Sequence, residues 1–332
     1  MGARVELRPL SVGEILDVAI KIYLKHAWTM WKIVAVVVAP VQFIGALIVT
    51  SAAPDAVVNQ NGIVIVQTQE QLSRFNAARG VVAALSVILI VLATAACFKA
   101  VSDAYLGDEP TFGGSFRHAL KRWRSIIWLP SVSVIILVLP LLVLAAITAV
   151  LEAGWLFALA MFGAVPVIIW MWISWTVATP VLLFEGPKGT KALRRSFFLV
   201  RGRWWRTLGA IAVGVIIAGV VQGALAAIFS AVAFTGSAGS YFAKTMSGAI
   251  AGTIGGILTT PFQAAVVTIL FFDFKVRKEG FDLELLARGM GSATDIGPPP
   301  DVLPPPPPPR STEQPPFWPP PPGWKPSGST EE

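Results

Sequence analysis

The side chains in this sequence that could do chemistry are few, and they cluster at the edges of apolar runs. Three carboxylates, Asp103, Glu185 and Asp273, recur near one end of alternate apolar stretches, each within four residues of a Lys or Arg. A carboxylate there has two uses. It pairs with a neighbouring cation as part of the structure, or it relays protons or cations, because an unpaired charge in hydrocarbon costs about 3 kcal/mol on insertion scales. Pairing is the reading adopted, with the relay as its alternative. The two histidines, His26 and His118, have no Cys, His or Asp at metal-ligand spacing and read as surface residues. Cys97 is the single cysteine, so it has no partner for an intrachain disulfide. Gln42, Gln222 and Gln263 lie deeper in apolar runs, where they either join helices or line a cavity. No phosphate-cradling Gly-rich loop, nucleophile or acid/base pair stands out. The sequence therefore names no catalytic residue, cofactor or metal site, and points away from an enzyme.

These residues are positioned by six apolar runs, roughly residues 28–51, 81–104, 126–151, 155–184, 208–234 and 248–274. Each reaches the about 20 residues needed to cross a hydrocarbon core. The chain is 55% apolar and 14% charged, a membrane composition. Of its 26 Lys and Arg, 23 fall in the two terminal segments and alternate connections on one side, and 3 on the other. The positive-inside rule then places both termini in the cytoplasm, in a cell-membrane protein whose first span is retained as an anchor. The net charge of +7 suits anionic headgroups beside the spans and gives no reason to expect nucleic acid.

A basic amphipathic segment precedes each odd-numbered span, and the three segments resemble one another. Ala19-Ile20-Lys21 leads to Trp28 at the step by which Ala119-Leu120-Lys121 leads to Trp128, and Ser196 to Trp205 follows the same step more loosely. In the first, Ser11 and Glu14 form a capping box, Leu10 and Ile15 a hydrophobic staple, and Asp17 and Lys21 an i, i+4 pair. Val12, Ile15, Leu16, Ala19, Ile22 and Tyr23 make its apolar face. Such helices are expected in the headgroup plane, apolar face towards the lipid. Their candidate contacts with anionic lipid are Lys21 and Lys25; Arg117, Lys121 and Arg124; and Lys191, Arg194, Arg195, Arg201 and Arg203. A topology anchor without lipid recognition is the plainer use of the same residues.

The predicted fold is an all-α six-span bundle. It is built from three repeats of an interfacial amphipathic helix plus a transmembrane hairpin, over residues 1–288. A weak strand alternation marks residues 63–67. Gly248, Gly252 and Gly256, and Gly219 with Gly223, make small-residue stripes suited to close helix contact, with a homo-oligomer face as the lesser alternative. Pro166, Pro180 and Pro261 interrupt the fourth and sixth spans, which is the sequence basis for a transporter or channel reading. From residue 289 onward, 16 of the 26 prolines fall in 44 residues. That tail is expected to be disordered, either a tether or a docking peptide for a protein partner.

Three segments, Leu7 to Tyr23 (LRPLSVGEILDVAIKIY), Glu185 to Trp205 (EGPKGTKALRRSFFLVRGRWW) and Phe271 to Ala287 (FFDFKVRKEGFDLELLA), resemble the glycerophosphoryl diester phosphodiesterase membrane domain family. The likeness is to its stand-alone actinobacterial-type members. It implies a membrane domain without the catalytic barrel, and no position here matches that barrel's histidines and metal-binding carboxylates. The function expected is binding or organisation of anionic lipids or membrane partners. The alternatives are a small transporter or channel and an accessory membrane subunit of a lipid-metabolising enzyme.

Overall fold

A computed structural model of the chain describes residues 10–51, 57–58, 64–65, 69–150, 154–187, 189–235 and 241–280. The chain divides into two units, Met1–Asp282 and Leu283–Glu332. The second unit, and with it the Pro-rich tail, lies outside the described residues. The described residues of the first are helices and their short connections, apart from one antiparallel pair, β1 (Val57–Val58) with β2 (Val64–Ile65).

Among the described residues six helices are long and apolar enough to cross a membrane. They are α2 (Ala27–Ser51), α3 (Gln69–Leu106), α5 (Trp123–Val150), α6 (Gly154–Trp175) continued by α7 (Ala178–Phe184), α9 (Trp204–Thr235) and α10 (Tyr241–Glu279). Three short helices, α1 (Val12–Lys25), α4 (Phe112–Lys121) and α8 (Thr190–Val200), precede α2, α5 and α9. Helix α10 is central, packing on α9, α2, α3, α1, α8 and α7. Inside hydrocarbon no hydrophobic effect drives helices together, so close packing does the work. Buried Phe271, Phe272 and Phe274 supply much of it, with Phe184 and Tyr105 stacking on Phe272 at ring separations of 6.0 and 5.2 Å. The ends of α3, α7 and α10 thus meet in one aromatic cluster.

Prolines explain the fourth span but not the sixth. Pro180 cannot donate to the carbonyl of Thr176, and its ring crowds that carbonyl. The helix breaks there, at Thr176 and Val177, and restarts as α7 with Pro180 in the first turn, where a missing N–H costs nothing. Pro261 lies within a continuous α10 and Pro166 within a continuous α6, so the expected interruption of the sixth span does not occur.

The apolar faces of the short helices, which the sequence assigns to the lipid, are covered at their centres by protein. Ile15 and Ala19 of α1, Ser115 and Ala119 of α4, and Ala192, Ser196 and Leu199 of α8 are buried in the protein. Small residues at these positions let each short helix approach the long ones closely. Ile20, Leu24, Leu120 and Phe198, on other faces of the same helices, stay exposed.

The glycine stripes also divide. A Cβ at Gly252 would meet the Gln42 side chain at 3.0 Å, and at Gly256 Val38 at 3.6 Å, so these two glycines seat α10 against α2. Gly219, Gly223 and Gly248 have nothing within 4 Å and make no close helix contact. A tight approach between spans is at Gly45, whose added Cβ would stand 2.6 Å from Val82 Cγ1.

Candidate functional site

At the bundle end that carries α1, α4 and α8, the charged residues sort into two populations. The first is turned inward and paired. Asp273, one turn and a half from the end of α10, is 1% exposed. Its Oδ1 accepts the Leu10 N–H at 2.8 Å, and both its oxygens accept Arg277 Nε, at 3.0 and 3.1 Å. Arg206 at the start of α9 adds its charge, with Nη2 3.3 Å from Asp273 Oδ2. Arg277 Nη2 in turn donates to the Leu10 carbonyl at 2.7 Å. A carboxylate and a guanidinium one turn apart on α10 therefore grip the backbone N–H and C=O of one residue, Leu10, ahead of α1. That clamp fixes where α1 starts, and the capping box holds it locally: Glu14 N–H donates to Ser11 Oγ at 3.3 Å and Ser11 N–H to Glu14 Oε2 at 2.6 Å.

Glu185 follows α7 and faces Arg195 of α8, which donates Nε at 2.7 Å and Nη2 at 3.2 Å. Arg195 also bridges to Glu279 at the end of α10, and Lys275 stands 3.8 Å from Glu185. These hydrogen-bonded carboxylates hold the Arg195 guanidinium above its usual pKa. Lys278 donates to the carbonyls of Phe198 and, at 2.8 Å, Arg201, covering the C-terminal end of α8. Arg122 donates Nη1 to Leu182 and Leu183 O at 2.7 and 3.0 Å, covering the end of α7 in the same way. Asp103 pairs with Lys99 one turn earlier on α3. Each of the three carboxylates singled out in the sequence thus has a cation beside it, and Lys275 and Arg277, two residues apart on α10, connect the Glu185 and Asp273 clusters.

The second population is turned outward. The side chains of Lys25, Arg117, Lys121, Arg124, Lys191, Arg194, Arg201 and Arg203 make no ion pair and no hydrogen bond among the described residues. All but Arg203, which is half-buried, are exposed. Lys21 holds only the exposed contact with Asp17 at 2.7 Å. Arg195 is the one candidate lipid contact that faces inward. Sequence spacing separates it from Arg194 by a single residue, which on a helix is a turn of about 100° and enough to change its partner.

His118 sits on α4 with Nε2 buried and unpartnered. Burial lowers its pKa, with the Leu183 backbone partly opposing and nearby Lys99 and Arg122 adding to the depression. His26, at the α1–α2 junction, is lowered by burial and by Lys25. Among the described residues no group of three or more His, Cys, Asp and Glu side chains is arranged to hold a metal ion. Gln222 of α9 donates to Thr259 Oγ1 of α10 at 2.9 Å and so joins two spans, whereas Gln263 is exposed.

Searched against protein-family models, curated proteins and solved structures, the chain matches none.

Proposed function

We propose that this is a non-catalytic multi-pass protein of the cell membrane, with both termini cytoplasmic, that binds anionic lipid headgroups through the outward cations of α1, α4, α8 and the adjoining turns. One observation carries the reading. The basic residues of this end divide into an inward set satisfied by carboxylates and carbonyls and an outward set with no protein partner. Folding accounts for the first set. An anionic surface accounts for the second, each cation near it contributing about 1 kcal/mol before screening.

A threefold repeat fits this assignment. Ala19, Ala119 and Ser196 occupy equivalent sequence positions and are all buried, while Trp28, Trp128 and Trp205, nine residues on, are exposed by 68, 59 and 78%. Exposed tryptophans at helix starts suit the headgroup boundary. Kinship with the glycerophosphoryl diester phosphodiesterase membrane domain family is part of the proposal and rests on the three segments quoted above. The break at Thr176–Val177 is what favours a transporter, but the carbonyls beside it are taken within the protein, Ile173 O by the Thr176 N–H and Ser174 O by Ser196 Oγ, and α10 runs unbroken through Pro261.

The test is lipid co-purification. Full-length protein extracted gently should carry more anionic than zwitterionic phospholipid relative to the membrane it came from. Changing Lys25, Arg117, Lys121 and Arg124 together to Gln should lower that enrichment, with the remainder held by the cations of α8. An unchanged enrichment in the correctly inserted variant reduces these residues to topology signals.

A further inference from the structure

We propose that the cleft between α5, α6 and α8 holds one anionic phospholipid, with an acyl chain in the cleft and the phosphate at Arg194. This rests on the reading that this end of the bundle faces anionic lipid, and it adds a defined site to a diffuse surface. The cleft has a volume of about 350 Å³. Ligand pockets span about 300–1,000 Å³, so it takes one chain segment and not a whole two-chain lipid. Ile136, Trp170, Met171, Leu193 and Phe197 form its apolar walls. Among the described residues Arg194 is the only charged one lining it.

The polar groups along the cleft support a directional occupant. Ser174 Oγ is already spent on the Trp170 carbonyl at 2.7 Å, so the depth of the cleft presents no free hydroxyl from that residue. Thr190, at the start of α8, and Arg194, one turn further along it, lie on the same face of the helix. Neither has a hydrogen bond or ion pair from its side chain, whereas Arg195 beside them is saturated by two glutamates. A hydroxyl and a guanidinium one turn apart match a phosphodiester, and the apolar walls match the chain attached to it. A free phosphate would use the first and leave the second idle.

The walls are also fixed in place. Ser196 Oγ donates to the Ser174 carbonyl at 2.8 Å and ties α8 to α6 inside the protein, Trp204 Nε1 reaches the Trp170 carbonyl at 3.3 Å, and the Trp170 and Phe197 rings meet edge to face at 5.5 Å. A cleft braced from three sides needs little ordering when it binds.

The experiment is native mass spectrometry of the full chain equilibrated in micelles with phosphatidylglycerol or phosphatidylcholine, for the wild type, Arg194→Gln, Arg194→Lys, Lys191→Gln and Met171→Trp. The wild type should retain one phosphatidylglycerol. Arg194→Gln should weaken it about fivefold, the equivalent of one cation at about 1 kcal/mol. Arg194→Lys should largely restore it. Met171→Trp, which fills the cleft and leaves every charge in place, should weaken it as well; Ile136→Trp fills it from α5 if Met171→Trp does not insert. Lys191→Gln should leave it unchanged, and millimolar inorganic phosphate should not displace the lipid. Equal losses in Lys191→Gln and Arg194→Gln with full retention in the cleft-filling variant overturn the site and leave the surface reading standing. Displacement by inorganic phosphate also overturns it. No preference of the wild type for phosphatidylglycerol overturns both.

Discussion

Replacing Asp273 by Asn keeps the shape of the side chain and removes the negative charge that both Arg206 and Arg277 approach. The asparagine carbonyl can still accept the Leu10 N–H, so that hydrogen bond is not what the substitution deletes. It leaves two guanidinium groups facing each other without their counter-charge. Breaking a buried ion pair from one side costs about 3–5 kcal/mol. Here Arg206 and Arg277 keep 20 and 21% of their side-chain surface exposed, and Arg277 retains the Leu10 carbonyl, which puts the expected loss at the lower end, about 3 kcal/mol. Equilibrium unfolding of the full chain in mixed micelles, followed by tryptophan fluorescence, measures it. The second variant isolates the cause: Asp273→Asn combined with Arg206→Gln removes the stranded charge and should recover about 1–2 kcal/mol of the loss. Stability within about 0.5 kcal/mol of wild type for Asp273→Asn, or no recovery in the double variant, refutes the reasoning. A saturable proton flux in wild-type vesicles, abolished by Asp273→Asn without loss of folded protein, replaces the clamp by a relay.

Arg195→Gln, which removes the partner of Glu279 and leaves Glu185 with Lys275 at 3.8 Å, should lower stability by about 1–3 kcal/mol in the same assay, whereas Arg194→Gln should stay within about 0.5 kcal/mol. Gly45→Ala drives a methyl group into Val82 and should cost about 1–3 kcal/mol, recovered in part by Val82→Ala; Gly219→Ala, which meets nothing, should be neutral in thermal unfolding. Because the folded protein depresses the pKa of His118, the unfolded chain binds its proton more readily. Stability should be full above the unfolded value of about 6.5 and fall as the pH drops below it, and His118→Gln should flatten that part of a stability–pH profile.

Several of these residues were readable from the sequence because their partners are local. The capping box of Ser11 and Glu14 and the Asp17–Lys21 pair sit within one turn, where spacing alone fixes the contact. Long apolar runs announced the spans, although α3 begins at Gln69, well before its apolar stretch, because polar residues at its start extend the helix beyond the apolar run. What spacing does not carry is the partner of a charge across the chain. Arg195 meets Glu279 84 positions away, and Arg277 meets the Leu10 carbonyl 267 positions away. Basic residues adjacent in sequence therefore look alike, and nothing in the spacing separates Arg195 from Arg194. Arg122 and Lys278 drew no notice as individuals, since their partners are carbonyls that every residue possesses; a cation just before a span and near a proline-marked helix end was the available signal. The burial of the apolar faces of α1, α4 and α8 was misjudged for a related reason. An amphipathic pattern says that one face leaves water, and only the small residues at Ala19, Ala119 and Ser196 hinted that protein rather than lipid receives it.

The account requires the layer of outward cations to face the cytoplasmic leaflet, and cysteine labelling in intact cells tests that most directly. In a Cys97→Ala background, single cysteines are placed at Lys191, exposed on α8, and at Ser240, between α9 and α10. Lys191 is preferred to the neighbouring Gly189, where a side chain at φ +58° would be strained. With an impermeant thiol reagent, the cysteine at 240 should label in intact cells and the cysteine at 191 only after permeabilisation. Labelling at 191 before permeabilisation, with protection at 240, would turn the layer to the outside and contradict the account.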